Sequence, residues 1–211
     1  MNKWGYKHKD NELYGVLFIS RNKDNKDVPN FKPRRVAFTI NGFEKIYERK
    51  FHNEFLAFRD SGVQGEFVRA YITVNSRDID KTRKALICAM VNDEDISLSH
   101  IQAKVCSLSM EKGMNKTKRW MFDVDTKDYG FVKQFIHELE KDYGFLKANT
   151  FDDFMESDPT IEGMYYKQVS PNGYAILVNK GFDTRNILKD REDVVTLKCD
   201  DMIIVDWDRK E

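Results

Sequence analysis

The segment that most constrains the fold is an apolar run that ends in two aspartates, at residues 120–125. Its aromatic and β-branched residues favour a β-strand, in which successive side chains point to opposite faces. Trp120 and Phe122 therefore share one face, and Asp123 and Asp125 share the other, with their bases about 7 Å apart. The run predicts a buried strand that carries a carboxylate pair at its end.

A capped amphipathic helix and a β-hairpin are predicted after this strand. Asp128 suits a helix N-cap, and Gly144 suits the C-terminal stop. One apolar stripe is formed by Phe131, Phe135 and Leu139 with Val132 and Ile136 alongside. Strands at 164–169 and 174–178 then flank Ser170-Pro171-Asn172-Gly173, in which proline fixes φ and glycine permits positive φ.

The rest of the chain reads as further strands and two helices, with no internal repeat. Strands are predicted at 14–19, 35–40, 43–49, 67–74 and 202–207, and helices at 53–58 and from Asp78 to about Val91. Residues 97–110 fit a helix or a strand. Because strands outnumber helices and hairpins recur, we predict an α+β fold with a mostly antiparallel sheet. We expect one domain over residues 1–211, with a strand-rich part at 1–66 and a core at 67–211.

Composition and charge weigh against some classes of protein. Lys+Arg and Asp+Glu both number 35, so the formal net charge is zero, which weighs against a protein that simply coats nucleic acid. No apolar run approaches the roughly 20 residues that cross a bilayer, and residues 1–7 lack the apolar stretch of a signal peptide. We therefore expect a cytoplasmic protein that does not enter membranes.

The cysteines and histidines predict no disulfide and no zinc site. The three cysteines are far apart, and we expect them to be reduced, with Cys88 in a helix core. The histidines show no metal-ligand spacing, and they are His8, His52, His100 and His137.

The carboxylate pair indicates a site for a divalent ion. Two like charges this close repel each other unless something positive lies between them, and hard cations such as Mg²⁺ or Mn²⁺ prefer oxygen ligands. Asp123 and Asp125 are the predicted ligands. Asp206 adds a third carboxylate if its strand neighbours the first. The alternative is a solvated strand end whose acids cap the next helix.

Groups that suit phosphate lie near this strand in the sequence. The hairpin turn offers backbone N–H groups, the Ser170 hydroxyl and the Asn172 amide, with Lys167 shortly before them. Lys118 and Arg119 belong to a basic cluster just ahead of the strand, and further basic residues are Lys112, Lys116, Lys32, Arg34 and Arg35. The alternatives are an ordinary hairpin turn and solvated basic faces.

The order of these parts, over residues 67–208, resembles the archaeo-eukaryotic primase and primase-polymerase superfamily. That family carries a DxD metal pair on one strand, then a turn with Ser and Gly, a histidine that contacts nucleotide phosphates, and an acid from a later strand. The resemblance implies catalytic roles for Asp123, Asp125 and Asp206, a sheet of the RNA-recognition type, and nucleotide or nucleic acid as ligand. Where the family has histidine this chain has Ala175, so we expect nucleotidyl transfer to be weak or absent.

Two other classes fit the same residues. Haloacid-dehalogenase-like phosphatases also begin with an apolar strand that ends in DxD, in which the first aspartate is a nucleophile. They usually place this motif near the N-terminus of a parallel sheet and have Thr or Val where this chain has Lys127. The third class is a non-catalytic module for nucleic-acid or protein interaction, in which the acids are structural.

Overall fold

A computed structural model describes residues 12–92 and 97–211. The predictions about the N-terminal segment 1–7 and about His8 lie outside these residues. The chain forms two compact units, and each unit contains one β-sheet together with its helices. None of the helices in the described ranges is long and apolar enough to span a bilayer.

The first unit comprises the described residues up to Thr117 together with Met202–Glu211, and the second unit comprises Lys118–Asp201. The sequence-based boundary between residues 66 and 67 lies inside the first unit. The α+β class with mostly antiparallel strands is confirmed, since nearly all the strand pairs in both sheets are antiparallel.

The first unit is an antiparallel sheet with three α-helices. Its strands are β1 (Glu12–Ser20), β2 (Arg34–Asn41), β3 (Phe67–Thr73), β4 (Arg77–Asp78) and β10 (Met202–Arg209), in the order β10-β3-β1-β2, with β4 also paired to β1. Its helices are α1 (Arg49–Asp60), α2 (Ile79–Asn92) and α3 (Ile101–Ser109).

Aromatic rings build the core between α1 and this sheet. Phe51, Phe55 and Phe58 recur on one face of α1, and each ring centroid lies 5.4 to 5.9 Å from that of Phe18 on β1. All four side chains are buried. Edge-to-face rings at this separation add to the free energy of area burial, which holds α1 on the sheet.

The second unit has a five-stranded sheet. Its strands are β5 (Trp120–Val124), β6 (Leu146–Lys147), β7 (Met164–Val169), β8 (Tyr174–Val178) and β9 (Val195–Lys198), in the order β6-β7-β8-β5-β9. Its helices are α4 (Tyr129–Tyr143), α5 (Phe151–Glu156) and α6 (Arg185–Leu188). Apart from β6 and α5, the connectivity is βαββαβ with β5 at the centre, which is that of the RNA-recognition type of sheet.

Helix α4 forms where its sequence signals predict it. The Asp128 carboxylate accepts hydrogen bonds from the N–H groups of Gly130 and Phe131, and Gly144 ends the helix with a left-handed φ of 68°. Phe135 and Leu139 are fully buried, and the Phe135 ring packs edge-on against Phe122 of β5. The helix therefore covers the apolar face of β5.

Two local predictions are wrong. Residues 43–49 do not return as a strand, because Phe43–Tyr47 forms a 3-10 helix that leads into α1. Cys88 is exposed rather than in a helix core, and Cys106 is the buried cysteine. In addition, the short helix α5 was not predicted, and its Thr150 and Asp153 form a reciprocal capping box.

Candidate functional site

The end of β5 separates an apolar face from a polar one. Phe122 and Val124 point into the core, whereas Asp123 points to the other face and is about a third exposed. Asp125 follows the last residue of β5, and its N–H donates to the carbonyl of Val194 at 2.9 Å. The predicted alternation along the strand is therefore present, and Asp125 is exposed just beyond it.

The hairpin turn predicted at Ser170–Gly173 is present, and Gly173 lies against this strand end. The Ser170 N–H donates to the Gly173 carbonyl at 2.9 Å, and the Gly173 N–H donates to Ser170 Oγ at 3.1 Å. A Cβ atom on Gly173 would lie 2.0 Å from the carbonyl oxygen of Val124. Only glycine permits this approach, which brings the turn to the backbone between the two aspartates.

Ala175 lies directly opposite Asp123 across the β5–β8 pair, where their Cα atoms are register partners. Directly opposed residues of an antiparallel pair point to the same face. The position at which the resembled family has histidine is therefore adjacent to the first aspartate. Ala175 is 6% exposed, and its methyl group provides no hydrogen-bond donor at this position.

Lys198 of β9 is the cation next to Asp123. Its Nζ lies 2.9 Å from Asp123 Oδ2 and 3.1 Å from Asp201 Oδ2. Burial lowers the pKa of Lys198, but hydrogen bonds to the two aspartates outweigh burial and leave the pKa above its ordinary value. The ammonium therefore stays charged at neutral pH and bridges the two carboxylates.

These residues do not fit a resident divalent-ion centre. Asp123 is engaged by an ammonium, and among the described residues no group of three or more His, Cys, Asp or Glu side chains is arranged to hold a metal ion. The Mg²⁺ or Mn²⁺ site stays a prediction.

Asp206 lies on β10 of the first unit. The condition for a third carboxylate was that its strand neighbours β5, but β10 pairs with β3, and β5 pairs with β8 and β9. Asp206 Oδ2 instead lies 3.8 Å from Nδ1 of His52 on α1. The strand pairing therefore does not provide the neighbour that this prediction needed.

Lys167 lies on the apolar face of the sheet, opposite to Asp123, because its register partner is Ile176 of the core. Its Nζ is 5.1 Å from the ring centroid of Tyr129 and 5.7 Å from that of Tyr174. Tyr129 is 59% exposed. We call Tyr129, Lys167 and Tyr174 the tyrosine–lysine surface, and it adjoins the hairpin turn because Tyr174 directly follows Gly173.

Lys118 and Arg119 precede β5 and so lie at the opposite end of the strand from the turn. Lys118 is exposed. Arg119 is buried, donates to the Met155 carbonyl at 2.5 Å and lies over the Phe154 ring. Arg119 therefore fastens α5, and only Lys118 of this pair presents its charge to solvent.

Sequence reasoning missed Lys198, Asp201 and Tyr129. The strand that carries Lys198 has only four residues in a charged stretch, so it gave no clear strand signal. Tyr129 directly follows the predicted N-cap Asp128, and no functional role was predicted for it. An aromatic residue at the first turn, outside the apolar stripe, was the available signal that it stays exposed.

Comparisons of the chain with protein-family models, with curated proteins and with solved structures found no match.

Proposed function

We propose that this chain is a primase-polymerase-like protein that binds a nucleotide or nucleic acid and catalyses nucleotidyl transfer weakly or not at all. The observation that carries the proposal is the tyrosine–lysine surface beside the turn Ser170–Gly173. There an exposed ring, an ammonium and a polar turn meet at one end of the second unit.

This combination supports binding because each part matches one part of a nucleotide. Bases stack on exposed aromatic rings whatever their sequence, and ammonium groups attract the phosphates. Tyr129 supplies the ring, Lys167 the charge, and Ser170 and Asn172 supply polar groups in the turn. Lys167 is already held over two rings, so less side-chain entropy is lost when it meets a phosphate.

Two features support weak or absent transfer. Ala175 provides no hydrogen bond to a phosphate at the position opposite Asp123. Such a charge-assisted bond is worth about 1.5–3 kcal/mol, so its loss slows a reaction by roughly tenfold or more. In addition, Lys198 engages Asp123, one of the two carboxylates that the resembled family uses for metal.

The test of binding is fluorescence anisotropy with a short labelled single-stranded oligonucleotide, as DNA and as RNA. We expect Tyr129→Ala to weaken binding by about tenfold to a hundredfold, which corresponds to the ~1–3 kcal/mol of one stacked base. Lys167→Ala should weaken binding and reduce the slope of log affinity against log salt by about 0.7, the value for one phosphate contact on a single strand.

Matched controls separate this surface from general charge and aromatic effects. Tyr47 is 60% exposed in the first unit, so Tyr47→Ala removes an equally exposed ring. Lys118→Ala removes an exposed lysine at the other end of β5. We expect both variants to bind as the wild type does. Equal losses in variant and control, or no binding by the wild type, would contradict the proposal and leave a protein-interaction module as the better reading.

The test of transfer is primer extension and de novo priming in the presence of Mn²⁺. We expect the wild type to incorporate nucleotides weakly or not at all, and Ala175→His serves as the comparison. Robust synthesis by the wild type that is unaffected by Ala175→His would contradict the proposal that transfer is weak or absent.

The phosphatase alternative has less support. Its family places DxD on a parallel sheet, whereas both neighbours of β5 run antiparallel to it. The Asp123 carboxylate, which would be the nucleophile, is also engaged by Lys198.

A further inference from the structure

Lys198, a cation from the neighbouring strand β9, lies at the acidic end of β5. Lys198 and Asp123 share one face of the β5–β9 pair, because Lys198 is the register partner of Met121, two residues before Asp123. Asp201, three residues after Lys198, returns its carboxylate to the same ammonium. One lysine is thus held between two carboxylates that come from different parts of the chain.

We infer that Lys198 takes the position of a divalent ion at Asp123 and excludes such an ion from this site. This inference goes beyond nucleic-acid binding, and it does not depend on it. It explains how the acidic strand end persists without metal, since like carboxylates need positive charge between them. It also makes the DxD string of this chain a structural charge cluster rather than a metal centre.

The exclusion follows from the contacts. A divalent ion that coordinates Asp123 would share its carboxylate with an ammonium 2.9 Å away, and the two cations repel. The ion must therefore displace Lys198, which breaks its hydrogen bonds to both Asp123 and Asp201. Mg²⁺ and Mn²⁺ accept oxygen ligands from one or two carboxylates with waters, so removal of the ammonium leaves a set that they can use.

The experiment measures Mn²⁺ binding by calorimetry and by the loss of the free-ion paramagnetic resonance signal, with no nucleotide present. We expect the wild type and Lys198→Arg, which keeps a cation, to show no binding at millimolar Mn²⁺. Lys198→Met keeps the length of the side chain and removes its charge, and it should bind at least tenfold more tightly than the wild type. Binding should disappear again in Lys198→Met combined with Asp123→Asn.

Other outcomes overturn the inference. If the wild type binds Mn²⁺ as tightly as Lys198→Met, the ammonium does not exclude the ion. If Lys198→Met, with a far-ultraviolet circular dichroism spectrum like that of the wild type, binds none, Lys198 does not occupy an ion position. Lys198→Gln is the second variant should Lys198→Met fold poorly. Because no oligonucleotide is used, failure here is distinct from failure of the proposed function, which is measured by anisotropy.

Discussion

Two of the Asp-x-Asp strings of this chain, one at the end of β5 and one on β10, are met by different neighbouring side chains. The string at Asp123 and Asp125 ends β5, a central strand, and Lys198 of the adjacent strand neutralises its first acid. The string at Asp206 and Asp208 lies on β10 and is met by side chains from α1.

The second string divides its two acids between different partners. Asp208 pairs with Arg59 at 2.5 Å. Asp206 is half-buried and lies 3.8 Å from His52, which is a weaker partner because it is charged only when it is protonated. The comparison teaches that a DxD string has no fixed chemistry. Strand pairing and the nearest cation decide whether each carboxylate is neutralised by an ion pair, disfavoured in its charged form by burial, or available to bind a ligand.

The largest expected effect concerns the turn Ser170–Gly173, which packs against the end of β5 that carries Asp123 and Asp125. In Gly173→Ala the new Cβ would lie 2.0 Å from the Val124 carbonyl oxygen, so backbone has to move. Overpacking of this kind costs about 1–3 kcal/mol, occasionally more, and we expect a value near the upper end in urea denaturation. Asn172→Ala, at an exposed position of the same turn, should change stability by less than about 0.5 kcal/mol. Similar values for the two variants would show that the turn is free to move from β5.

A smaller effect, with opposite outcomes for the two strings, is expected from amide substitutions at pH 7. Asp123→Asn breaks a pair with Lys198 in which both side chains are about a third exposed, so the loss should stay below about 1 kcal/mol. Asp206→Asn removes a charge that burial disfavours, and stability should stay the same or rise. Denaturation midpoints of both variants test this, and a loss in Asp206→Asn as large as in Asp123→Asn would break the comparison.

The smallest effect is a difference in titration within the second string. Burial raises the pKa of Asp206 above its ordinary value, whereas the hydrogen bond from Arg59 lowers the pKa of Asp208. The contribution of Asp206 to stability is therefore lost as pH rises through its folded pKa, and that of Asp208 is lost as pH falls through its folded pKa. Carboxyl carbon NMR titration should show Asp208 ionising first. The reverse order would mean that His52, not burial, controls Asp206.

Much of the fold was accessible from local patterns. The two strands of the β7–β8 hairpin have the predicted bounds. The prediction that Gly173 supplies a positive φ is wrong, and glycine is needed there because the turn approaches the Val124 carbonyl closely. Asp128 and Gly144 end α4 as predicted, because capping depends on residues within one turn. By contrast, Cys88 was misplaced because an apolar residue on a helix reveals its burial only when the partner surface is known.

Only part of the candidate site could be predicted from the sequence, because the rest depends on which surfaces pack together. The sequence by itself determined that Asp123 shares no face with Phe122, that a tight turn follows, and that alanine replaces the expected histidine. The sequence also determined the net charge of the chain, which follows from composition. It indicated most of the strands, because alternation of apolar and polar residues is a short-range pattern.

Tertiary structure alone decided which groups meet. Lys198 reaches Asp123 from 75 positions along the chain, through a four-residue strand that pairs with β5. Lys167 was predicted to contact phosphate beside the aspartates because it is near the turn in sequence, but its register partner places it on the face opposite to Asp123, over two tyrosine rings. Strand order and register are set by packing of the whole sheet, and a one-residue shift in register exchanges the faces. Local sequence therefore specifies the elements, and the sheet specifies the partner of each charge.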